Sequence, residues 1–579
     1  MSIAGIQSSS SSASTEEDDP REPPFLFARL EPRNAKAYKA FAKVVDAAAR
    51  DPERYRHHAR FLSYDSRPVP LRSLLHGYAP EMTSDASTDE PETEEMATAD
   101  GDQEVFKGGY MFSLKILPSL RLKWRAGNGR WNQDPELGLV DLLISVDMDN
   151  TGVHGLHAQF LFDEKSGIFG VRAYHRRNGI TVDHNSFGSD QGLRALGFKA
   201  MIQFGDLLYE FSYTIPAGSD LDAVFRGLKR TFFEEELGGA SPIEATSVTP
   251  SENDMIFGSW RLHQPVGRGT FGIVSAASRR DGPIEVVAVK HMRRYSEQSA
   301  ANIELEVRSA RELTSASRAH KYGQYIVQLN DVIYPRGHEF FTSGGAMDDV
   351  FLLYTPFTRG TFLSHILGDR IKVDSMDVRK ALFAQIIKGL DCLHTLGWVH
   401  RDIKPPNLGI VSLMPPYAVI LDLGQAFYYE PQSFHSDDSS NDVGNIQPTP
   451  GHYGTSSYIS PEMESKNYGP AVDIWAAGLS GYELFVGSHP FRSSVNPWRE
   501  DKNTPDQLQH NYEVLKGIHS ALLAKPAGCI EHLISDMLRI RPSSRPSAAK
   551  ALEHTSIAEA ITHSPQQDTA PMGTKRQRE

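Results

Sequence analysis

Residues 400–407 read His-Arg-Asp-Ile-Lys-Pro-Pro-Asn, which places a base, a cation and a metal ligand on one short segment. Asp402 is suited to accept the proton of an incoming hydroxyl, and Lys404 to steady a transferred phosphate. Asn407 offers an amide oxygen to a magnesium ion. Together these residue types predict phosphoryl transfer, provided that other segments supply a nucleotide site around them.

A glycine-rich stretch lies upstream with the spacing G-x-G-x-x-G-x-V. Its residues are Gly267, Arg268, Gly269, Thr270, Phe271, Gly272, Ile273 and Val274. Positions without a side chain let backbone N–H groups approach phosphates closely. A glycine hairpin and a dinucleotide-binding turn share this spacing, so the stretch needs support from the strand that follows.

That strand reads Val-Val-Ala-Val-Lys over residues 286–290. Period-two alternation puts Ala288 and Lys290 on one face, where the small alanine leaves room for a base and the lysine reaches phosphate oxygens. A dinucleotide-binding turn does not require this lysine. The strand therefore favours a mononucleotide site that binds through its phosphates.

Lys290 requires a carboxylate to hold it, and a helical pattern follows with an apolar face formed by Ile303, Val307, Ala310 and Thr314. Glu306 is the candidate for this role. Glu304 lies about 200° away around a helix, so the two carboxylates cannot both point at one lysine. Glu312 is a more distant alternative.

A second carboxylate, Asp422, ends the apolar run 419–421 and begins the sequence Asp-Leu-Gly. A carboxylate at a strand end is able to bind magnesium that bridges nucleotide phosphates, so Asn407 and Asp422 are the predicted metal ligands. Leu423 would fill an apolar socket.

These motifs, in this order, resemble a eukaryotic-type protein kinase over about half of the chain. The resemblance implies a bilobal α+β fold with a β-rich N-lobe and a helical C-lobe, and it implies ATP and Mg²⁺ as cofactors. It adds nucleotide contacts at Val274, Thr355, Phe357 and Leu408, with Tyr354 as a bulky gatekeeper. Lys404 and the run 454–458 resemble Ser/Thr kinases. Glu462 and Arg545 are expected to pair, and Asp473 to anchor the catalytic loop.

Arg401 precedes the proposed base, which suggests that a phosphate placed on the segment after Asp422 docks there and orders it. The candidate acceptors are Thr449, Thr455, Ser456 and Ser457. Thr455 has a structural role as an alternative.

A catalytically silent pseudokinase that acts as a phosphoprotein-binding adaptor is the other reading of the same fold. The four residues that transfer needs are all present, namely Lys290, Asp402, Asn407 and Asp422. Their presence favours an enzyme, with Asp402, Lys404, Lys290 and Glu306 as its catalytic residues.

Upstream, residues 106–214 contain short β-rich runs such as 140–146, 158–162 and 207–213, separated by Gly, Asn and Asp, and they predict a small all-β sandwich. His157 and Asn178-Gly179 resemble signatures of the forkhead-associated (FHA) domain, a β-sandwich whose loops bind phosphothreonine. His154 stands at the usual serine position. The usual Gly-Arg is either Gly127-Asn128 or Gly129-Arg130. Both domains together resemble the architecture of checkpoint kinases, and a structural or dimerising sandwich is the alternative.

The chain has 579 residues and a formal net charge of -13, which predicts several domains and argues against charge-driven binding to nucleic acid or membrane. Its only two cysteines, Cys392 and Cys529, predict a reducing compartment. The absence of a signal sequence or long apolar run predicts a cytoplasmic or nuclear protein. Protein substrates with Ser or Thr acceptors are the expected partners, together with phosphothreonine proteins.

The predicted division has seven parts. They are a disordered Ser-rich acidic tail (1–24), a short helical segment (25–78), an acidic linker (79–105), the FHA-like sandwich (106–214), a linker (215–254), the kinase domain (255–560) and a disordered tail (561–579).

Overall fold

The computed structural model describes fourteen stretches of the chain. They are residues 25–75, 103–120, 123–129, 140–146, 151–164, 166–176, 179–236, 250–269, 272–335, 348–368, 373–429, 454–465, 468–491 and 496–562. The predicted tail 1–24, most of the predicted linker 79–105 and nearly all of the predicted tail 561–579 lie outside the described residues.

The described residues before the kinase-like region form two β-sheets that share one core, and Val69–Pro70 pairs separately with Glu104–Val105. One sheet has seven strands in the order β11-β10-β13-β14-β1-β5-β2, and the other has five in the order β12-β9-β8-β6-β7. The strands are β1 (Leu26–Pro32), β2 (Leu62–Tyr64), β3 (Val69–Pro70), β4 (Glu104–Val105), β5 (Gly108–Ser113), β6 (Lys123–Gly127), β7 (Leu142–Leu143), β8 (Ala158–Phe162), β9 (Phe169–Ala173), β10 (Ile180–Val182), β11 (Asn185–Phe187), β12 (Leu193–Ala195), β13 (Lys199–Phe204) and β14 (Leu207–Tyr213).

Aromatic side chains fill the space between the two sheets. Phe27 contacts Phe169 edge to face at 5.1 Å between ring centroids, and Phe112 lies 5.0 Å from Phe160. Trp124 is fully buried among these rings. Such offset and edge-to-face pairs add to the stabilisation from buried apolar area.

The first strand differs from the predicted division of the chain. The segment 25–78 was expected to be a separate helical piece, yet β1 pairs with β14 on one side and β5 on the other. Its backbone is therefore hydrogen-bonded along both edges, and five of its seven residues are buried. The predicted helix is present as α1 (Ala35–Arg50), capped by Asn34, whose side chain accepts a hydrogen bond from the Ala37 N–H. Two shorter helices follow, α2 (Arg56–Ala59) and α3 (Leu71–Leu75).

The predicted linker 215–254 also contains regular structure, the helix α4 (Asp220–Glu236). Phe225, Phe232 and Phe233 are buried in the sandwich core, and Phe225 stacks on Phe27 at 5.2 Å. The helix therefore covers the sandwich. Its apolar face escaped the sequence analysis because Arg226, Lys229 and Arg230 stand between Phe225 and Phe232, and three glutamates follow Phe233.

The N-lobe of the kinase-like region is a six-stranded sheet in the order β15-β16-β17-β18-β20-β19, packed against the helix α5. Its elements are β15 (Met255–Phe257), β16 (Trp260–Gly269), β17 (Gly272–Arg279), β18 (Val286–Arg294), α5 (Glu297–Ser317), β19 (Gln328–Ile333) and β20 (Asp348–Thr355). Ser296 caps α5 through a capping box with Ser299. The predicted apolar face of α5 is buried.

The C-lobe is mainly helical around the buried helix α7 and carries three short β-pairings. Its helices are α6 (Phe362–Leu367), α7 (Met376–Thr395), α8 (Ala471–Val486), α9 (Pro505–Leu523), α10 (Ile530–Met537), α11 (Ala548–Leu552) and α12 (Thr555–Thr562). Its strands are β21 (Gly360–Thr361), β22 (Trp398–Val399), β23 (Leu408–Leu413), β24 (Pro416–Ile420) and β25 (Phe427–Tyr428). Among the described residues, no helix is long and apolar enough to cross a bilayer.

Candidate active site

Lys290 lies at the centre of a three-residue charge cluster between the lobes. Its Nζ donates to Glu306 Oε1 at 2.6 Å and to Asp422 Oδ1 at 3.0 Å. The strand β18 supplies the lysine, α5 supplies Glu306, and Asp422 follows β24. Glu304 is exposed on the other side of α5, so Glu306 is the carboxylate that reaches the lysine.

Burial and charge oppose each other in this cluster. Burial acts to lower the pKa of Lys290, but the Glu306 and Asp422 carboxylates outweigh it and raise that pKa. Burial acts to raise the pKa of Asp422, yet Lys290 and His400 bring it below its usual value. Burial, with the Asp422 charge, raises the pKa of Glu306 against the effect of Lys290. One cation facing two carboxylates leaves an excess of negative charge.

Asp402 sits in a second network on the loop after β22. Its Oδ2 accepts from the Asn407 amide at 3.0 Å and lies 2.8 Å from Lys404 Nζ. Its Oδ1 accepts from the Thr455 hydroxyl at 2.9 Å, and that hydroxyl accepts from Lys404 at 2.6 Å. The structure thus joins the catalytic-loop residues to a threonine from the far end of the segment after Asp422.

Asp473 holds the backbone of this loop in place through hydrogen bonds. It is fully buried on α8 and accepts hydrogen bonds from the His400 and Arg401 N–H groups at 2.8 and 2.9 Å. His394 adds a third contact at 3.0 Å. Burial acts to raise the pKa of Asp473, but the two histidines and these bonds lower it overall, so the carboxylate stays charged.

Gln425 was missed in the sequence analysis, although it joins the two ends of the segment after Asp422. Its carbonyl oxygen accepts from Arg401 Nε at 2.7 Å, and its side-chain Oε1 accepts from the Gly454 N–H at 2.6 Å. Arg401 also lies over the Phe427 ring at 5.1 Å. The position of Gln425 directly after Asp-Leu-Gly was the signal that could have identified it. The candidate phosphate acceptor Thr449 lies outside the described residues.

The predicted nucleotide contacts surround the cleft between the lobes. Val274 pairs with Lys290, and Gly269 pairs with Gly272 across the β16–β17 turn. Ala288 pairs with Tyr354 in the next strand. Gly267, Gly269 and Gly272 are described at the backbone, the Arg268 side chain is not described, and Thr270 and Phe271 lie outside the described residues.

The remaining predicted contacts lie at the hinge and the floor of the cleft. Thr355, the last residue of β20, and Phe357 just beyond it are half-buried, and Thr355 donates to Asn330 Oδ1 at 2.9 Å. Leu408 is fully buried at the start of β23. Tyr354 is buried, and its hydroxyl has no hydrogen-bond partner among the described residues.

The ion pair predicted between Glu462 and Arg545 is present, with Arg545 Nη2 2.8 Å from Glu462 Oε2. The guanidinium is fully buried and lies over the Trp475 ring at 4.9 Å. A bidentate arginine–carboxylate pair of this kind holds the end of the segment after Asp422 against the C-lobe.

A model of the family described as "Protein kinase domain" matches residues 260–557, which is more than half of the 579 residues. The chain belongs to the protein kinase domain family. It is similar to the calcium/calmodulin-dependent protein kinase type II alpha chain of Drosophila melanogaster, with 27% identity over 305 residues. That similarity covers 52% of this chain and 49% of the relative, so the chain spans about half the length of the curated relative it matches.

Proposed function

We propose that the protein is a serine/threonine kinase that transfers the γ-phosphate of ATP to Ser or Thr hydroxyls of protein substrates. The observation that carries the proposal is the joint assembly of Lys290 with Glu306 and Asp422, and of Asp402 with Lys404 and Thr455. A protein that had lost transfer would have no need to keep both networks intact.

In this mechanism Asp402 orients the attacking hydroxyl and accepts its proton as the new P–O bond forms, while the bond from the γ-phosphorus to the β–γ bridging oxygen of ATP breaks and ADP leaves. Asn407 and the backbone contacts of Asp473 hold Asp402 in place. Lys404 lies 2.8 Å from Asp402 and is placed to neutralise charge on the transferred phosphoryl group. Lys290, fixed by Glu306, would hold the nucleotide phosphates. Positioning and charge neutralisation account for most of the rate enhancement in such reactions.

The residues present fit a magnesium ion. The Asn407 Nδ2 atom donates both to the Asp402 backbone oxygen at 2.8 Å and to its side chain at 3.0 Å, which leaves the Oδ1 atom as the ligand. Asp422 would be the second ligand, because its carboxylate oxygens are of the kind magnesium prefers and the cluster around Lys290 has an excess of negative charge. Bound there, magnesium would neutralise charge on the nucleotide phosphates.

The experiment is phosphotransfer from radiolabelled ATP to a generic Ser/Thr substrate and to the protein itself, followed by phosphoamino-acid analysis. Asp402→Asn should abolish labelling, whereas the matched exposed variant Asp501→Asn should label like the natural protein. Phosphotyrosine alone would overturn the Ser/Thr assignment. Equal labelling by Asp402→Asn and the natural protein would overturn the role of Asp402.

We further propose that the sandwich is an FHA-like reader that recruits phosphothreonine proteins. The predicted recognition loops meet at one end of the sandwich. His157 accepts from the His154 N–H at 3.0 Å and binds the Gly179 carbonyl oxygen at 3.2 Å. Gly127 allows close approach of the 154–155 backbone, since an added Cβ would lie 2.2 Å from the Gly155 oxygen.

Among the described residues, we infer that the positive charge in these loops comes from Arg176. Asn128 is buried and donates to the Val153 oxygen at 2.7 Å, so it braces a loop, and Arg130 lies outside the described residues. The Arg176 side chain is 81% exposed beside His175, and the ring centroids of His175 and His154 lie 4.7 Å apart. Arg176 is therefore the described cation best placed for a phosphate.

Fluorescence anisotropy with a phosphothreonine peptide library tests this reader. We expect binding by the natural protein that is lost in Arg176→Ala and kept in the exposed control Arg72→Ala. Equal binding of unphosphorylated peptides would contradict the proposal. Binding retained in Asp402→Asn, with an unchanged biological output, would favour the adaptor over the enzyme.

A further inference from the structure

The sandwich and the N-lobe touch through the turn between β17 and β18. The Ile284 N–H donates to the Leu193 carbonyl oxygen at 2.8 Å, which extends the edge strand β12. Next to this bond, Pro283 packs on Gly192, and the Ile284 Cδ1 would lie 3.1 Å from a Cβ added at Gly170. A backbone hydrogen bond to an edge strand is directional, so it fixes this turn in register with the sandwich.

A second contact lies at Arg261 in β16. Its guanidinium rests directly on Gly197 of the sandwich, where an added Cβ would lie only 2.3 to 2.6 Å from its Nη2, Nη1 and Cζ atoms. Gly197 has no left-handed backbone angle, so an alanine there would be hindered by the guanidinium and not by its own backbone. The glycine is required by the close approach of the arginine.

Charged residues of three segments act on the pKa of Arg261. Asp183 belongs to the sandwich, Asp254 belongs to the chain just before β15, and Arg280 lies on the same lobe as Arg261. Burial lowers the pKa of Arg261, with Asp254 and Asp183 acting in the opposite direction. An exposed ion pair between Lys199 and Glu252 at 3.1 Å lies at the same border.

We propose that these contacts persist in solution and hold the sandwich and the N-lobe together, and we call this interface the joint. In the joint, the N-lobe face around Arg261 and Ile284 is a permanent docking surface for the sandwich of the same chain. Arg261 is the residue that locks it, because its side chain is the part of the N-lobe that fills the sandwich surface at Gly197. Anything that the sandwich loops bind is then held at a fixed position relative to the kinase domain. The joint itself depends on neither the proposed transfer nor the proposed phosphopeptide binding.

Hydrogen exchange of the full chain, measured by mass spectrometry, tests the joint at the Ile284 N–H. In the natural protein we expect peptides that cover residues 280–286 to show protection at the Ile284 N–H, in addition to the protection that the Arg280 N–H receives from the Ser259 carbonyl within the lobe. Arg261→Ala and Gly197→Ala should each speed their exchange by roughly tenfold or more, the change that follows from losing about 1.4 kcal/mol of docking free energy. The double variant should add little to Arg261→Ala, because alanine at position 197 meets no guanidinium there.

Matched controls separate this effect from general destabilisation. Arg293→Ala removes an arginine of the same lobe that pairs with Asp349, and Gly227→Ala adds a methyl to α4 where no atom lies within 4 Å. Neither should change exchange at 280–286. Peptides from α7 report whether a variant remains folded. Arg261→Lys keeps the charge but not the planar group, so its exchange rate at 280–286 should lie between those of the natural protein and Arg261→Ala.

The proposal is overturned if the Ile284 N–H within the peptides that cover residues 280–286 exchanges at the unprotected rate in the natural protein. It is also overturned if Arg261→Ala leaves their protection unchanged, or if Gly197→Ala is as harmful with alanine at 261 as with arginine. Kinase activity does not enter the readout, so failure of the joint and failure of the proposed function are separate results.

Discussion

The Thr455 hydroxyl donates to Asp402 at 2.9 Å, so a residue near the end of the segment after Asp422 contacts the proposed base directly. The same oxygen accepts from Lys404 at 2.6 Å. Thr455 therefore has a structural role, and a phosphate on its oxygen would displace both contacts.

Thr455→Val keeps the shape of the side chain and removes its hydroxyl. Because two hydrogen bonds to charged groups are lost, we expect the rate of phosphotransfer to fall by about tenfold to a hundredfold. Thr455→Ser should keep most of the rate. Steady-state kinetics with a Ser/Thr peptide measure this, and a valine variant as fast as the natural protein would show that the hydroxyl is dispensable.

Lys290→Met removes the cation that separates Glu306 from Asp422. Phosphate binding and charge neutralisation are lost together, so we expect kcat/KM for ATP to fall by about a hundredfold or more. Lys36→Met, at a lysine that is 63% exposed, is the control and should have no effect. A methionine variant with normal kinetics would exclude Lys290 from the site.

Gln425→Ala tests the connection between Arg401 and Gly454. The variant loses the hydrogen bond from the Gly454 N–H to the Gln425 side chain, which is worth about 0.5–1.5 kcal/mol. Because this loosens the segment before Thr455, the transfer rate should fall roughly two- to tenfold. Gln509→Ala, on the exposed face of α9, should leave the rate unchanged. The idea fails if both glutamine variants behave alike in the same peptide assay.

Arg545→Ala removes one partner of a buried ion pair and leaves the Glu462 carboxylate uncompensated. Such a change costs about 3–5 kcal/mol of unfolding free energy. Urea unfolding followed by circular dichroism measures the loss. The control Arg539→Ala breaks a pair with Asp536 in which both partners are at least 42% exposed, and it should change stability by no more than about 1 kcal/mol.

His157 predicts a pH dependence of the sandwich. Burial lowers the pKa of His157 from 6.5 to about 4, so the unfolded chain takes up a proton at a pH where the folded chain does not. This contribution to stability is complete above pH 6.5 and is lost as the pH falls towards 4. Between pH 8 and pH 5 the natural protein should lose about 2 kcal/mol more unfolding free energy than His157→Gln. Equal losses in urea titrations of the two proteins would contradict this.

Local patterns were sufficient for several elements. The predicted short helical segment contains α1, in which Tyr38, Phe41 and Val44 are buried at helical spacing, and the runs 158–162 and 207–213 coincide with β8 and β14. In each case one buried face repeats with the period of the element, so the signal lies within the segment. The run 140–146 forms only the short strand β7, because it pairs in parallel with the end of β6 over two residues.

Local sequence patterns did not predict contacts between residues that lie far apart in the chain. The place of β1 depends on partners far along the chain, and Arg261 opposite Gly197 is a contact between two domains. In the site, the motifs specified Lys290, Asp402 and Asp422, since the chemistry requires these residue types. Gln425 acts through its backbone carbonyl and one amide oxygen, so its residue type does not indicate this role, and only its position after Asp-Leu-Gly points to it.

The place of β1 also bears on how the chain is made. Ala28 pairs with Phe112 on one side and with Tyr213 on the other, so β1 leaves a ribosome long before one of its two partner strands. At roughly 5–20 residues per second, synthesis of the chain between β1 and β14 takes on the order of ten seconds or more. During that interval β5 can pair with β1, but the other edge of β1 remains open, and an open strand edge is a place where a second nascent chain can add.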